Sequence, residues 1–327
     1  MLRILKYVLA VSCSALCLLA AGGALAQAYP VKPVRIIVPF PAGGLADVLT
    51  RGLGQELTKI WGQQVIAENR PGANTIIGAE ATARAPADGY TLLMANDPTL
   101  SSNQYLYNKL PYDPVKDLEP VVNIVGVSSV LVANPAFPAN SLQELIALAK
   151  QKPGAITYGS FGPGSKTHID TVGFSVIAGI KLQHVPYKGI ADVLPAVMAG
   201  QIDFALSGVQ PTLAHIRAGK LKPIAMAAPQ RSPVLPNVPT FAEAGMPDFE
   251  SRSWFGLVAP RATPRPIIDR IAADVGRIAA TKEFQDKFVA GVGLEPWVMM
   301  PDEFAEFLKK DRAVYAERIK HIGVKLD

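Results

Sequence analysis

Apolar, β-branched runs recur along the chain at Val34 to Val38, Gln64 to Ala67, Thr91 to Ala95, Val121 to Ala133, Thr157 to Gly159, Ile202 to Ser207, Ile224 to Ala227 and Phe255 to Ala259. Between them, apolar positions three and four apart predict helices over Asp47 to Ile60, Ser141 to Lys150, Thr167 to Ala178, Ala191 to Ala199 and Pro266 to Ala280. Strands alternating with helices indicate an α/β protein with parallel sheets. Ser141 with Glu144 three places later reads as a capping box, Thr263-Pro264 and Pro301-Asp302 open two final helices, and Gly200 and Gly219 stand where helices close. No fixed-period repeat runs through the chain.

The run Val121 to Ala133 is too long for one ordinary strand and is expected to pass from one lobe into another. A second crossing is expected near Ser253 to Leu257, after a proline-rich loop. Two crossings make each lobe's sheet depend on distant sequence. The division expected is 27–127 and 251–327 for the first lobe and 128–250 for the second.

The amino terminus changes the compartment. Arg3 and Lys6, an apolar run from Tyr7 to Ala21 and the small-residue end Ala24-Leu25-Ala26 read as a secretory leader over 1–26, cleaved near Ala26. The apolar run is shorter than the roughly 20 residues a membrane span needs. Both cysteines, Cys13 and Cys17, lie in the leader, so a mature chain has neither disulfide nor thiolate site. The net charge of +5 loses Arg3 and Lys6 with it, and no run of Lys or Arg suggests a phosphate-tracking face. Nucleic acid is therefore not an expected partner, whereas a small anion is.

Two loops carry the candidate chemistry. In "RIIVPFPAGGLADVLTR" a strand ends at Pro39, and Pro41, Ala42, Gly43 and Gly44 make the turn before a helix. Glycines let amides approach a ligand, and the helix N-terminus favours negative charge. Asp47 either reaches a ligand or stabilises the first turn of its own helix. In "YGSFGPGSKTHID" the same logic returns with Ser160, Gly162, Gly164 and Ser165, followed by Lys166 and His168. Gly159 and Gly164 have phosphate-loop spacing, but Ser165 intervenes before Lys166-Thr167. Lys166 supplies a point charge or is simply solvated at a helix start. Tyr187 and Lys188 could line a cleft or form a surface turn, and Asp203 serves a turn, a hinge or a ligand.

Catalytic patterns are missing from the sequence. Tyr158 stands where a nucleophile elbow needs its first glycine before Ser160, and His168, His184, His215 and His321 have no metal-ligand spacing. No cofactor is expected.

In chain order, "YPVKPVRIIVPFPAGGLAD", "ENRPGANTIIGAEATARAPADGYTLLMA", "LPYDPVKDLEPV", "YGSFGPGSKTHI", "HVPYKGIADVLPAVMAGQIDF", "GKLKPIAMAAPQRSPVLPNVPTFAEAG" and "WFGLVAP" resemble the successive signatures of the Bug/TctC family of extracytoplasmic solute-binding receptors of tripartite tricarboxylate transporters. The resemblance implies a two-lobed periplasmic binding protein of type II-like fold, each lobe a mostly parallel sheet flanked by helices, with a hinged cleft. It implies a small carboxylate held in the cleft and passed to integral membrane transporter subunits by a monomeric receptor. By position, the first lobe's contacts would be Pro41, Ala42, Gly43, Gly44, Ala46 and Asp47, with Asn96 and Asp97. The second lobe's would be Ser160, Gly162, Gly164, Ser165, Lys166 and His168, with Tyr187 and Asp203. Ala46 and Asp97 stand where relatives often carry hydroxyl residues, and Lys166 is unusual in its loop. An acid at 97 facing the cleft would favour a zwitterionic solute. A co-receptor signalling to a sensor kinase is the alternative reading, and a secreted hydrolase a third.

Overall fold

The computed structural model describes residues 29–292, 294–323, 325 and 326, so the leader over 1–26 lies outside the described residues. One strand organises the rest. β4 (Leu118–Ala133) follows β1 (Val34–Val38), β2 (Val65–Asn69) and β3 (Thr91–Ala95), and runs for 16 residues. Its first part, Leu118 to Ser128, pairs with β9 (Arg252–Pro260) and β10 (Glu295–Met299). Its last part, Ser129 to Ala133, pairs with β7 (Phe204–Gly208) and β8 (Lys222–Ala227). The first sheet reads β2-β1-β3-β9-β4-β10. The second reads β6-β5-β7-β4-β8, with β5 (Thr157–Ser160) and β6 (Gln183–Pro186) at its edge.

The sheets are mixed, where parallel ones are expected from the sequence. β1, β2 and β3 run parallel, as do β5, β6 and β7, but β9 is antiparallel to both β3 and β4, and β4 to β7, β8 and β10. The cause is connectivity. A chain that leaves one sheet along β4 and returns along β9 lays the two strands side by side in opposite directions.

Helices cover both faces. α1 (Leu45–Trp61) and α8 (Arg265–Ala279) seal one face of the first sheet around Leu49, Leu53, Ile271 and Val275. On the other face lie α2 (Ile76–Ala83), a π-helical turn Pro98–Ser102 leading into α3 (Asn103–Leu106), and α10 (Pro301–Lys320). α9 (Lys282–Phe284) is a single turn. In the second sheet α4 (Leu142–Gln151) and α5 (Lys166–Ala178) cover one face, and α6 (Ile190–Met198) and α7 (Val209–Arg217) the other. The Ser141 hydroxyl caps α4 by accepting from the Glu144 amide at 3.2 Å, while the Glu144 carboxylate accepts from the amide of Asn140, one residue further back than a capping box places it.

α10 ties the two halves together. Phe304 and Leu308 near its start pack beside Trp254 and Val258 of the first sheet, whereas Tyr315 and Ile319 near its end pack on Leu106 and on Ile169 of α5. Its apolar stripe thus serves two cores in succession. Missed from the sequence were α2 and β10; β10 contains Pro296, and its pairing to β4 slips between Pro296 and Met299.

Candidate functional site

The strand registers bring the carboxyl ends of both sheets to one place. Ala95 at the end of β3 lies opposite Gly256, and Trp254, Ser253 and Arg252 lie opposite Gly126, Val127 and Ser128. From the other side, Gly208 and Ala227, the last residues of β7 and β8, both lie opposite Ser129. β1 and β5 end at the same edges because they run parallel to β3 and β7. The crevice outside strand carboxyl ends is where open α/β sheets place ligands. Here two such crevices face each other across Gly126 to Ser129.

Three helices begin at that crevice with a glycine N-cap and no side-chain capping bond: α1 after Gly44, α6 after Gly189 and α7 after Gly208. Their first-turn amides have no intrahelical acceptors, so each N-terminus presents donors and a partial positive charge. Two buried hydroxyls, Ser128 Oγ and Ser207 Oγ, have no hydrogen-bond partner among the described residues. Ser128 alternates with Val130 on β4, and Ser207 lies opposite Val130 on β7, so both face the side covered by α6 and α7. Buried polar groups of this kind are satisfied by water or ligand. Ser128 reads in the sequence only as a break in an apolar run; Ser207, Gly189 and Gly208 carry no local signal that singles them out.

The first-lobe loop is exposed from Pro41 to Gly44 and is held from beneath. Asp47 is 3 % exposed. One of its oxygens accepts from the Gly43 amide at 2.9 Å and from Arg51 Nε at 3.0 Å, and the other accepts from Asn69 Nδ2 at 2.8 Å. Burial pushes its pKa upward, but the bonds from Arg51, Gly43 and Asn69 outweigh it and hold the carboxyl below its usual range. Asp47 is therefore a latch for Gly43, which sits at φ +82°. Ala46 is buried behind the turn.

The second-lobe loop is closed on itself. Ser160 Oγ accepts from the Gly162 amide at 3.1 Å, Thr167 Oγ1 from the Phe161 amide at 3.1 Å, and His168 Nδ1 from the Gly164 amide at 3.1 Å. Ser165 caps α5 by accepting from the His168 amide and donates to the Gly162 carbonyl at 2.7 Å. His168 also stacks on His184, with ring centroids 4.0 Å apart, and His184 lies 2.6 Å from Ser160 Oγ. Burial, with the neighbouring His184, pushes the His168 pKa down to about 4, and burial lowers that of His184 as well. Ser160, Ser165 and His168 thus build the loop from within. Tyr187, just after β6, is half-buried, its amide donating to the Ser160 carbonyl at 3.0 Å.

Four residues of the expected contact set have partners within the protein. Asp203 lies just before β7, at the end of the second sheet far from the crevice, where its carboxylate accepts from the amide and the hydroxyl of Thr157, each at 2.7 Å. Asn96 turns its carbonyl to Thr99 Oγ1 at 2.9 Å. Asp97 is 1 % exposed and accepts from Ser253 Oγ and from Tyr315 Oη at 3.0 Å. Lys166 donates to Asp170 at 2.5 Å and to Tyr315 Oη at 3.2 Å, and Asp170 also receives Arg318 at 2.6 Å and the Ser251 hydroxyl. This buried cluster joins the start of α5, the turn after β3, the start of β9 and the end of α10. Burial pushes the Asp97 carboxyl up. It acts the same way on Asp170, but there Lys166 and Arg318 outweigh it and hold the carboxyl below its usual range. With Asp97 committed to this network, its charge no longer argues for a zwitterionic solute.

Among the described residues no group of His, Cys, Asp and Glu is arranged to hold a metal ion, and no helix is long and apolar enough to cross a membrane. A cavity of about 790 Å³ opens between α5 and α10 and contains none of the loop residues 39–46.

Comparison with known proteins is consistent with this arrangement. Residues 49–324 match the model of the tripartite tricarboxylate transporter family receptor, TctC. Protein BugT of Bordetella pertussis is 35% identical over 302 residues, 92% of each chain. A protein of R. palustris solved with adipate is 31% identical, with a TM-score of 0.76 over 91% of this chain and 99% of that one. MatC from Rhodopseudomonas palustris with bound malate is 29% identical, with a TM-score of 0.71 over 89% and 100%. The chain belongs to the tripartite tricarboxylate transporter receptor family, whose members are solute-binding receptors.

Proposed function

We propose that this family member is an exported receptor that captures a small carboxylate between its two lobes and delivers it to the integral membrane subunits of a transporter. The observation that carries the reading is the meeting, at one crevice, of three helix N-termini without side-chain caps and two partnerless buried hydroxyls. Such donors bind an anion. The bound adipate and malate of the two similar structures support a carboxylate as the solute class.

In this reading the amides at Gly44 to Ala46 hold one carboxylate oxygen set, Ser128 and Ser207 hold the solute through hydroxyl or water contacts, and Tyr187 closes the mouth. The lobes divide at 128 and 251, and ligand shifts the balance between their open and closed arrangements. The mature chain, cut near Ala26, acts in the periplasm as a monomer. A thermal-shift screen of ligand-stripped mature protein against aliphatic, aromatic and amino-bearing carboxylates tests the reading. A ligand at about 100 times its Kd adds roughly 2.7 kcal/mol. The expected outcome is a raised midpoint with one class of acid that disappears in Ala42→Trp; no shift with any acid would sink the proposal.

A further inference from the structure

The cavity between α5 and α10 includes none of residues 39–46, Ser128, Ser207 or Tyr187, and its chemistry is different from theirs. One apolar wall is made by Val176 and Ile177 of α5, Phe307 and Val314 of α10 and Trp297 of β10, with charged side chains, Arg252 of β9 among them, in the rest of the lining. Val176, Ile177 and Val314 are 46%, 46% and 44% exposed, an unusual density of aliphatic surface facing one hollow. About 790 Å³ falls within the range of pockets that enclose small organic ligands.

Arg252 supplies the polar anchor. Its guanidinium lies 3.6 Å from the centre of the Trp297 ring, and on its other side it fills the space above Gly126, where an added Cβ would meet Nε at 2.5 Å. The side chain is 12% exposed, yet its one ion pair, to Glu295, is long at 3.5 Å, and its Nε has no hydrogen-bond partner among the described residues. A flat guanidinium stacked on both faces keeps only its edge for hydrogen bonding, and that edge matches the two oxygens of a carboxylate. Lys166 and Arg318 in the same lining pair with Asp170, so a second negative charge would meet Asp248, Glu250 and Glu317 with Lys310 as the further cation.

We propose that this cavity is a second ligand site, specific for a monocarboxylic acid with an apolar aliphatic or aromatic body. The carboxylate pairs with the edge of Arg252, and the body lies between Val176 and Ile177 on one side and Phe307 and Val314 on the other. The site takes one negative charge and apolar area, whereas the crevice between the lobes offers backbone amides and hydroxyls.

Calorimetry on ligand-stripped mature protein with octanoate and 3-phenylpropionate tests it, with 3-phenylpropionamide and suberate as controls. The expected result is saturable binding of both monoacids, at least tenfold weaker for the amide and for the diacid. Val314→Arg and Ile177→Arg, at exposed positions where the fold tolerates a charge, weaken it at least tenfold, as does Arg252→Met. Ala42→Trp, in the front loop, leaves it within twofold. Absence of saturable binding by either monoacid overturns the proposal, as does binding indifferent to Val314→Arg and Ile177→Arg. Loss in Ala42→Trp with retention in Val314→Arg also overturns it, by assigning the acid to the crevice, and in that case the receptor reading stands.

Discussion

The loops after β1 and β5 follow one recipe and reach opposite hydrogen-bond states. Each is a buried strand, a glycine turn and a helix, and each carries an acid in the helix that follows. After β1 the turn is exposed, α1 has no side-chain cap, and Asp47 binds the turn from below through the Gly43 amide. After β5 the hydroxyls of Ser160, Ser165 and Thr167 and the ring of His168 take up the loop amides themselves. The difference teaches that glycine content alone does not make an anion loop. What decides is whether neighbouring hydroxyls leave the amides available.

The two acids differ in the same way, and that contrast can be broken most forcefully. Arg318→Ala leaves Asp170, fully buried, with Lys166 as its remaining cation, and is expected to cost about 3–5 kcal/mol in urea unfolding. Arg51→Ala beneath the first loop should cost no more than about 1 kcal/mol, because Arg51 is half exposed and Asp47 keeps Gly43 and Asn69. Equal costs would erase the distinction between a buried clamp and a surface latch.

Next in size is a pH effect confined to the second loop. His168 titrates near 6.5 when unfolded and about 4 when folded, so the unfolded chain binds the extra proton between those values. Its contribution is whole above 6.5 and is lost as pH falls to about 4, on the order of 2 kcal/mol. Asp311 works the other way: burial raises it to about 6, so the folded state holds its proton longer and stability falls as pH rises from 3.8 to 6. The stability difference between wild type and His168→Gln, measured from pH 7 to 4, isolates the histidine. It should shrink by that amount on the acid side, and a flat difference would remove His168 from the loop's support.

A smaller pair of variants separates the loops by function. Asp47→Ala should weaken solute binding about tenfold, or roughly 1.4 kcal/mol, by unlatching Gly43. Ser165→Ala should cost about 1 kcal/mol of stability by removing the cap on α5 and change solute affinity less than threefold. The smallest effect is expected for Asp203→Asn and Asp97→Asn, with solute affinity by calorimetry unchanged for both. A tenfold loss in either would return that residue to the crevice.

Legibility followed the range of the contacts. β1 and β3 match their apolar runs because those residues are buried throughout, apart from the half-buried Arg35. The passage of β4 between the sheets was readable in a run too long for one strand. The latch at Asp47 was also within reach, since Arg51 is one helical turn away. Asp97 was not, because Ser253 and Tyr315 lie 156 and 218 residues further on. Asp203 stayed open between turn, hinge and ligand for a related reason: beside a strand, sequence does not tell which end of the sheet a carboxylate occupies. The His168 and His184 rings, 16 residues apart, meet only because β5 and β6 pair.

The order in which strands are joined has a consequence for how the protein is made. β9 lies between β3 and β4, so the first sheet has a gap in its middle until residues 252–260 exist. A chain growing from its N-terminus completes every strand of the second sheet before it can close the first. The early segments therefore stay unsealed for most of synthesis, and the pairing that ends this delay joins residues far apart in sequence, which slows folding. Late closure keeps the first-made third of the chain pliable until the last third has arrived.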